Sequence, residues 1–241
     1  MIEKIIHQIW VGELPPPKKW MASWQGKNPG WQYVLWDNDK IFGRNWENQR
    51  ALNHYAKLKM WHGVADVARY EILREHGGFM PGADSECILP IDELFSDGRE
   101  LYAVSVKGNP ADWQRLKRIG EPDDEQYLPP FLAKDAGDFE NFITPIYAAA
   151  KGNEFLDALI SEIGQLQEYG QPWMTTGNML CTKLAAKLRP EITVWPMHYF
   201  LNEHPRTAAS KYHYIYTGKD KIFAKHFWGT TRRCYDKGIE K

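Results

Sequence analysis

The stretch of residues 62–87, HGVADVARYEILREHGGFMPGADSEC, decides the fold of this chain. Up to the glycine pair, apolar residues recur every three to four positions, which is the spacing of an amphipathic helix. A turn rich in glycine and proline follows, and a single carboxylate, Asp84, stands in it. The stretch therefore predicts a helix that leads through Gly77 and Gly78 to an isolated acidic side chain.

Asp66 and Arg69 stand three residues apart in the predicted helix, so they share one of its faces. Such a pair is commonly a surface ion pair that contributes only a few tenths of a kcal/mol. A forked guanidinium is also well suited to binding phosphate. The spacing alone leaves both interpretations open.

Residues 4–12, KIIHQIWVG, predict a buried first strand that ends at Gly12 and the prolines at 15–17. Residues 31–37, WQYVLWD, predict the second strand, and Trp20 and Trp24 predict a helix that packs on it. Further on, residues 141–160 predict a strand, a run of small residues and an amphipathic helix. Thr176 or Asn178 is expected to cap the helix after that.

The C-terminal run 224–231, AKHFWGTT, places a histidine among aromatic residues. The imidazole of His226 is a plausible ligand for Mn²⁺. Lys225, Arg232 and Arg233 are candidates for binding an anionic group by charge, and a solvated basic tail is the alternative.

These three anchors together resemble glycosyltransferase family 32, the DXD-containing sugar transferases that include yeast initiation mannosyltransferases, capsular polysaccharide transferases and clostridial glucosylating toxins. The family core runs (A/S)D-x-x-R-Y-x-I-L-x-x-x-G-G-x-Y-x-D-x-D-x-E-C, and its first strand reads I-P-K-I-I-H-Q-I-W-x-G. This chain departs from the core at two positions, with Gly82 in place of the first Asp of the DXD and Met80 in place of the Tyr. The motif therefore reads Gly82-Ala83-Asp84.

The resemblance implies a donor site for a nucleoside diphosphate sugar, such as a UDP- or GDP-sugar. Asp66 and Arg69 would contact the sugar, Asp84 would be the retained ligand of Mn²⁺ or Mg²⁺, and Trp10 would stack on the base. In such a site the cation neutralises the leaving diphosphate. With one Asp missing, we expect metal dependence to be weak or absent, and the alternative is that Asp84 is only a turn residue. The resemblance thus gives catalytic roles to Asp84, Asp66 and Arg69, donor contacts to those three and to Trp10, Gly12, Gly82, Ala83, Lys225 and Trp228, and metal ligation to Asp84 and His226.

The resemblance also implies the fold and the reaction. We expect one GT-A-like domain over residues 1–241, a Rossmann-related α/β/α sandwich with a mostly parallel sheet. Residues 1–90 would form the nucleotide-sugar-binding half, and residues 91–241 would form the acceptor-side half, with the C-terminal tail closing the site. The family retains the anomeric configuration, which implies α-linked transfer by front-face substitution.

Composition is consistent with one globular domain. The chain has 241 residues, 43% of them hydrophobic, and a formal net charge of −1, which gives no overall signature of nucleic-acid or membrane binding. Its three cysteines are scattered, which favours reduced thiols. With no apolar run near about eighteen residues and no signal-peptide pattern, we expect a cytoplasmic protein without a membrane anchor, or one in the host cytoplasm if a phage encodes it.

Two further hypotheses stay open at this stage. In the family's C-terminal pattern A-I-H-H-W, Phe227 stands in place of the second His. This substitution and those at 80 and 82 fit a degenerate transferase that binds nucleotide or glycan without turnover. Alternatively, the acceptor is a protein or a modified base in phage DNA and not a glycan. Arg115, Lys117 and Arg118 would then join the C-terminal arginines in a basic surface.

Overall fold

The structure is a computed structural model that describes residues 1–107, 141–201 and 221–229. It contains strands β1–β9 and helices α1–α7, with short 3₁₀ turns at Asp92–Phe95 and Met197–Tyr199. The strands are β1 Ile5–Ile9, β2 Gln32–Trp36, β3 Gly78–Phe79, β4 Ser85–Cys87, β5 Leu101–Lys107, β6 Asn141–Ile143, β7 Ala148–Ala149, β8 Thr193–Trp195 and β9 Ala224–His226. The helices are α1 Lys18–Lys27, α2 Asn38–Phe42, α3 Gln49–Lys57, α4 Trp61–His76, α5 Glu154–Gln165, α6 Pro172–Thr175 and α7 Asn178–Leu188.

A seven-stranded sheet runs through the described part of the molecule in the order β2-β1-β3-β7-β5-β6, and β8 pairs with β5. Strands β1, β2, β3, β5 and β8 run in one direction, while β6 and β7 run in the other. The predicted α/β fold with a mostly parallel sheet is therefore confirmed. The sheet takes strands from both predicted halves of the chain, and the short strands β4 and β9 pair separately.

Strand β1 forms where the run of β-branched residues predicted it. It pairs with β2 over its full length, from Ile5 opposite Gln32 to Ile9 opposite Trp36. Ile6 and Gln8 are completely buried, and Ile9 is nearly so. Parallel strands buried on both faces carry such near-continuous apolar runs.

Helix α4 is the predicted helix of the first motif, and the two glycines that follow it end it sharply. Gly77 has φ +67° and Gly78 has φ +101°, which are left-handed values that favour glycine. Space also requires glycine here, since a Cβ on Gly78 would lie 2.5 Å from the carbonyl oxygen of Ile5. The chain can thus pass directly from α4 into β3 beside β1.

Apolar side chains pack on both faces of the sheet. Helices α3, α4, α5 and α7 cover one face, with Leu52, Ile72 and Leu159 in its core. An aromatic group that includes Phe79, Trp195 and Phe200 fills the other. Trp20, Trp24, Trp31 and Trp36 are all buried, in agreement with the structural role predicted for them.

The expectation that Thr176 or Asn178 caps the next helix is wrong. Gly177 is the N-cap of α7, and no side chain makes a capping hydrogen bond there. The hydroxyl of Thr176 instead donates to the carbonyl of Pro172 within the preceding turn. A helix buried by its neighbours does not need the capping contribution, which is typically about 1 kcal/mol.

His7 lies inside β1 with both ring nitrogens engaged. Trp36 Nε1 donates to its Nδ1 at 3.1 Å, so Nε2 carries the proton and donates to the carbonyl of Gly77 at 2.9 Å. Burial lowers the pKa of His7 to about 4, and nearby His76 adds to this effect while the bond to Gly77 opposes it. The neutral ring therefore connects β1, β2 and the turn after α4.

This arrangement predicts that the protein loses stability in mild acid. Unfolded His7 takes up a proton below about pH 6.5 that the folded protein excludes down to about pH 4, so its contribution is present above that window and is lost through it. We expect a loss of about 3 kcal/mol from this group. His7→Gln should be less stable at pH 7 and should lack this part of the pH dependence in urea unfolding at pH 7, 6 and 5. Parallel pH profiles for the two proteins would contradict the assignment.

Candidate functional site

The carboxyl ends of β1 and β3 meet at one edge of the sheet, because the two strands are parallel neighbours. Trp10 and Gly12 follow β1 there, and the turn Met80–Asp84 follows β3. In open α/β sheets, ligands bind beyond this edge. The structure therefore brings the first-strand and DXD-like residues of the sequence to a common edge.

The turn after β1 is fixed by its backbone. Asn38 accepts a hydrogen bond from the amide of Gly12 at 2.9 Å and donates to its carbonyl oxygen at 3.0 Å. Gly12 has φ +108°, and a Cβ there would lie 2.6 Å from Trp61 Nε1. Trp10 is half-buried and donates its indole N–H to the carbonyl of Leu14 at 2.7 Å.

Arg69 connects α4 to the two loops at the sheet edge. Its Nη1 donates to the carbonyl oxygens of Met80 at 3.0 Å and of Ile146 at 3.1 Å. Its Nε is buried without a hydrogen-bond partner in the described part of the chain. One part of the guanidinium thus positions the DXD-like turn, while another part has an unused donor.

Asp66 is half-buried on α4 and makes no ion pair with Arg69 within 4.0 Å and no hydrogen bond to any residue that the structure describes. Burial raises its pKa to about 7, and the positive charge of Arg69 only partly opposes this. A Cβ on Gly177 would lie 2.9 Å from Asp66 Oδ2, so α6 and α7 close over the carboxylate. The simple surface ion pair is therefore not formed.

Asp84 is tied to the segment 226–229. Its carboxylate accepts hydrogen bonds from the amide of Gly229 at 2.8 Å and from His226 Nε2, which lies 3.2 Å away. Its backbone carbonyl accepts from the amide of Phe227 at 2.9 Å. Burial alone would raise the pKa of Asp84, but His226 and the amide of Gly229 outweigh it and lower the pKa below its ordinary value.

Both ring nitrogens of His226 have partners in this structure. The amide of Trp228 donates to its Nδ1 at 3.1 Å, so in the neutral ring Nε2 carries the proton that faces Asp84. Across the described ranges, no group of three His, Cys, Asp or Glu side chains is arranged to hold a metal ion. The predicted ligand pair does not fit a metal site as it stands, since only Asp84 has lone pairs left over.

Gly82 lies in close contact with this pair. It is not among the residues with positive φ, so its backbone does not require glycine. A Cβ there would lie 3.1 Å from both Asp84 Oδ1 and His226 Nε2. The carboxylate that the DXD pattern places at this position would thus face Asp84 directly.

Of the remaining predicted donor residues, some lie near Asp84 and others do not. Ala83 lies in the turn itself, and the ring of Trp228 lies 4.5 Å from that of His226. Lys225 is exposed and precedes His226 in β9, so the two side chains point to opposite faces. The structure does not bring Lys225 to Asp84, and Arg232 and Arg233 lie outside the described residues.

Two residues at this edge were not singled out in the sequence. Gln8 is fully buried, donates to the carbonyl of Gly82 at 3.1 Å and accepts from the hydroxyl of Tyr33 at 2.8 Å. The sequence does place Gln8 as a polar residue inside an apolar strand. A buried amide needs hydrogen-bond partners, so this pattern could have marked the residue. Tyr147 lies beside Arg69, with the guanidinium carbon 5.8 Å from its ring centre, and no local pattern marks it.

Part of the chain that forms this edge is similar to known proteins. Residues 17–99 match the family model described as a glycosyltransferase sugar-binding region containing a DXD motif. These residues are similar to a DXD-type glycosyltransferase sugar-binding region. Its matched segment includes Asp66, Arg69 and Asp84, so the resemblance seen in the sequence is confirmed.

Two curated relatives carry related names. The chain is 38% identical over 113 residues to an uncharacterized glycosyltransferase, L373, of Acanthamoeba polyphaga mimivirus, covering 44% of this chain and 45% of that protein. It is 32% identical over 107 residues to inositol phosphoceramide mannosyltransferase 1 of Schizosaccharomyces pombe, covering 39% and 32%. The chain thus spans less than half the length of either relative.

Among solved structures, the PaToxG glycosyltransferase matches with a TM-score of 0.53 and 13% identity over 78% of this chain and 70% of that one. At this identity the match concerns the fold alone. In the part of the chain that the structure describes, no helix combines the length and apolar character needed to cross a bilayer.

The bonds around Asp84 predict how the segment 226–229 is held. Replacing Asp84 with Ala removes the acceptor of the Gly229 amide, so hydrogen exchange at Gly229 should accelerate by roughly tenfold or more in metal-free buffer. The amide of Ile88, which donates to the carbonyl of Phe223 at 2.8 Å, serves as the internal control and should keep its rate. Unchanged exchange at Gly229 would show that Asp84 does not fasten this segment.

Proposed function

We propose that the chain transfers a sugar from a nucleoside diphosphate sugar to an acceptor hydroxyl. The proposal rests on two polar groups of α4 that have no hydrogen-bond partner in the described chain. The Asp66 carboxylate and Arg69 Nε are buried or half-buried without hydrogen-bond partners in the described chain, inside the matched sugar-binding region. Because buried polar groups in proteins are nearly always paired, a polar ligand would supply what is missing.

A sugar fits these groups well. Its hydroxyls both donate and accept, so one ring can donate to Asp66 while accepting from Arg69. Arg69 is already fixed by the carbonyls of Met80 and Ile146, so it needs little reordering when a ligand binds. We therefore place the transferred sugar between Asp66 and Arg69.

The base and the diphosphate follow from this placement. Trp10, half-buried beyond β1, offers an aromatic surface on which a base can stack. The diphosphate would lie along the edge toward the turn Gly82–Asp84, within reach of the positive charge of the Arg69 guanidinium, which donates to the carbonyl of Met80. UDP- and GDP-sugars both satisfy this arrangement.

The reaction is proposed to proceed on one face of the sugar. The acceptor hydroxyl attacks the anomeric carbon as the bond from that carbon to the phosphate oxygen breaks, and the departing phosphate takes the hydroxyl proton. No protein nucleophile is required, which agrees with the single acidic side chain in the turn. The anomeric configuration is then retained.

We further propose that this transfer depends little on divalent metal. When bound, Mn²⁺ or Mg²⁺ would neutralise the diphosphate, and Asp84 would be its one carboxylate ligand among the described residues. Fewer anionic ligands mean a weaker site. The hydrogen bond between His226 and Asp84 would also have to be given up for His226 to contribute.

A second candidate function is binding without turnover. The Asp84–His226 pair favours it, because the one carboxylate of the DXD-like turn already hydrogen-bonds His226 and the amide of Gly229. The two functions differ in one measurement, the release of nucleoside diphosphate over many turnovers. The proposals of a protein or DNA acceptor rely on arginines and lysines that lie outside the described residues.

The test of the proposed function is Asp66→Asn. Loss of a charged hydrogen-bond acceptor for the sugar should lower transfer or hydrolysis of the nucleotide sugar by roughly 10- to 100-fold. Stability at pH 8 should not fall, because burying the Asp66 charge is unfavourable in the folded protein. The measurements are steady-state turnover and thermal unfolding on the same preparations.

Asp157→Asn is the matched control. Asp157 is an exposed helix carboxylate that accepts a hydrogen bond from Arg74 at 3.3 Å, so its loss should leave turnover unchanged. If Asp66→Asn turns over normally, or loses activity only by melting, Asp66 is not a sugar ligand.

Gly82→Asp tests the metal proposal. The added carboxylate would face Asp84, and the backbone at 82 has no left-handed φ to strain, so Mn²⁺ binding should tighten by roughly tenfold or more in calorimetry. Gly26→Asp is the control, since nothing lies within 4 Å of a Cβ at that exposed position. Equal Mn²⁺ affinity in wild type and Gly82→Asp would contradict the proposal that the missing Asp at position 82 weakens metal binding.

A further inference from the structure

Tyr147 combines a buried ring with an unused hydroxyl at the candidate site. The side chain is 6% exposed, and its ring packs against Phe79 at 6.1 Å and Phe200 at 5.1 Å between ring centres. The Arg69 guanidinium carbon lies 5.8 Å from the ring centre. The ring is therefore held in place from several sides.

The Tyr147 hydroxyl has no hydrogen-bond partner within the described ranges. It is also not among the fully enclosed polar atoms that lack partners, so the small exposed part of the side chain includes this oxygen. Buried tyrosines usually direct the hydroxyl to a partner in the protein. Tyr70 and Tyr102, which are equally buried, both do so here.

The charges around Tyr147 place its hydroxyl among the donor-site groups. Burial raises its pKa above the ordinary value, with the positive charge of Arg69 opposing and the negative charge of Asp84 adding to the effect. The phenol is therefore a neutral hydrogen-bond donor close enough to both residues to feel their charges. Its backbone also belongs to this edge, because its carbonyl accepts from the amide of Met80 at 2.6 Å.

We propose that Tyr147 is a donor-binding residue whose hydroxyl hydrogen-bonds the nucleoside diphosphate sugar where the sugar joins the diphosphate. The proposal rests on the proposed function, since it assigns a contact within that site. It also accounts for Met80, which replaces the tyrosine of the family pattern and lies next to Tyr147 across the β3–β7 pairing. A phenol missing from the turn is supplied by the neighbouring strand.

Tyr147→Phe tests this contact because it keeps the ring and removes only the hydroxyl. The affinity for the intact nucleotide sugar should fall by roughly tenfold, the equivalent of one hydrogen bond. The affinity for the nucleoside diphosphate alone should fall less, because the sugar-side contact is absent from it. The melting temperature should not fall, since no bond within the described protein is lost.

Tyr102→Phe is the matched control. Its hydroxyl hydrogen-bonds Asp97 at 2.5 Å and the carbonyl of Arg99 at 3.0 Å, at the amino end of β5, and the substitution leaves the backbone bond from Tyr147 to its carbonyl in place. This variant should lose stability and keep donor affinity, the reverse of Tyr147→Phe.

The outcomes separate this inference from the proposed function. If wild type binds the nucleotide sugar and Tyr147→Phe binds it equally well, the role of Tyr147 is wrong and the proposed function stands. A drop in melting temperature for Tyr147→Phe matching that of Tyr102→Phe would assign the hydroxyl to folding and overturn the inference. If wild type binds no nucleoside diphosphate sugar, the proposed function itself fails and the inference fails with it.

Discussion

The site depends on one interaction, the double hydrogen bond from Arg69 Nη1 to the carbonyls of Met80 and Ile146. Hydrogen bonds from a charged group contribute about 1.5 to 3 kcal/mol each. Here they join helix α4 to the two chain segments that leave the sheet at its ligand edge. Asp66, Asp84 and Tyr147 keep their relative positions because this guanidinium holds the segments that carry them.

The same arrangement leaves two polar groups of the site without hydrogen-bond partners among the described residues. Arg69 uses Nη1 for structure but has a buried Nε without a partner among the described residues, and Asp66 lies near enough to feel its charge without bonding to it. Burial of Asp66 is therefore unfavourable in the free protein. A polar ligand that meets both groups would supply the missing hydrogen bonds.

Much of the fold follows from the sequence because its signals are local. The apolar run at 4–12 and the 3.6-residue period of α4 specify single elements, and Gly77 and Gly78 specify the sharp turn between α4 and β3. The site was predicted less completely. Arg69 reaches the turn that leads to Asp84, but the bond between His226 and Asp84 depends on the pairing of β4 with β9, about 140 residues apart in the chain. Tyr147 reaches the site through an antiparallel strand pairing, which no local pattern encodes.

The most direct measurement of the central claim is a crystal structure of the protein with a non-hydrolysable nucleoside diphosphate sugar. The account predicts the base against Trp10, the sugar between Asp66 and Arg69, and the Tyr147 hydroxyl within hydrogen-bond distance of the ligand. A ligand bound elsewhere, or one that leaves Asp66 and Arg69 Nε without partners, would contradict it.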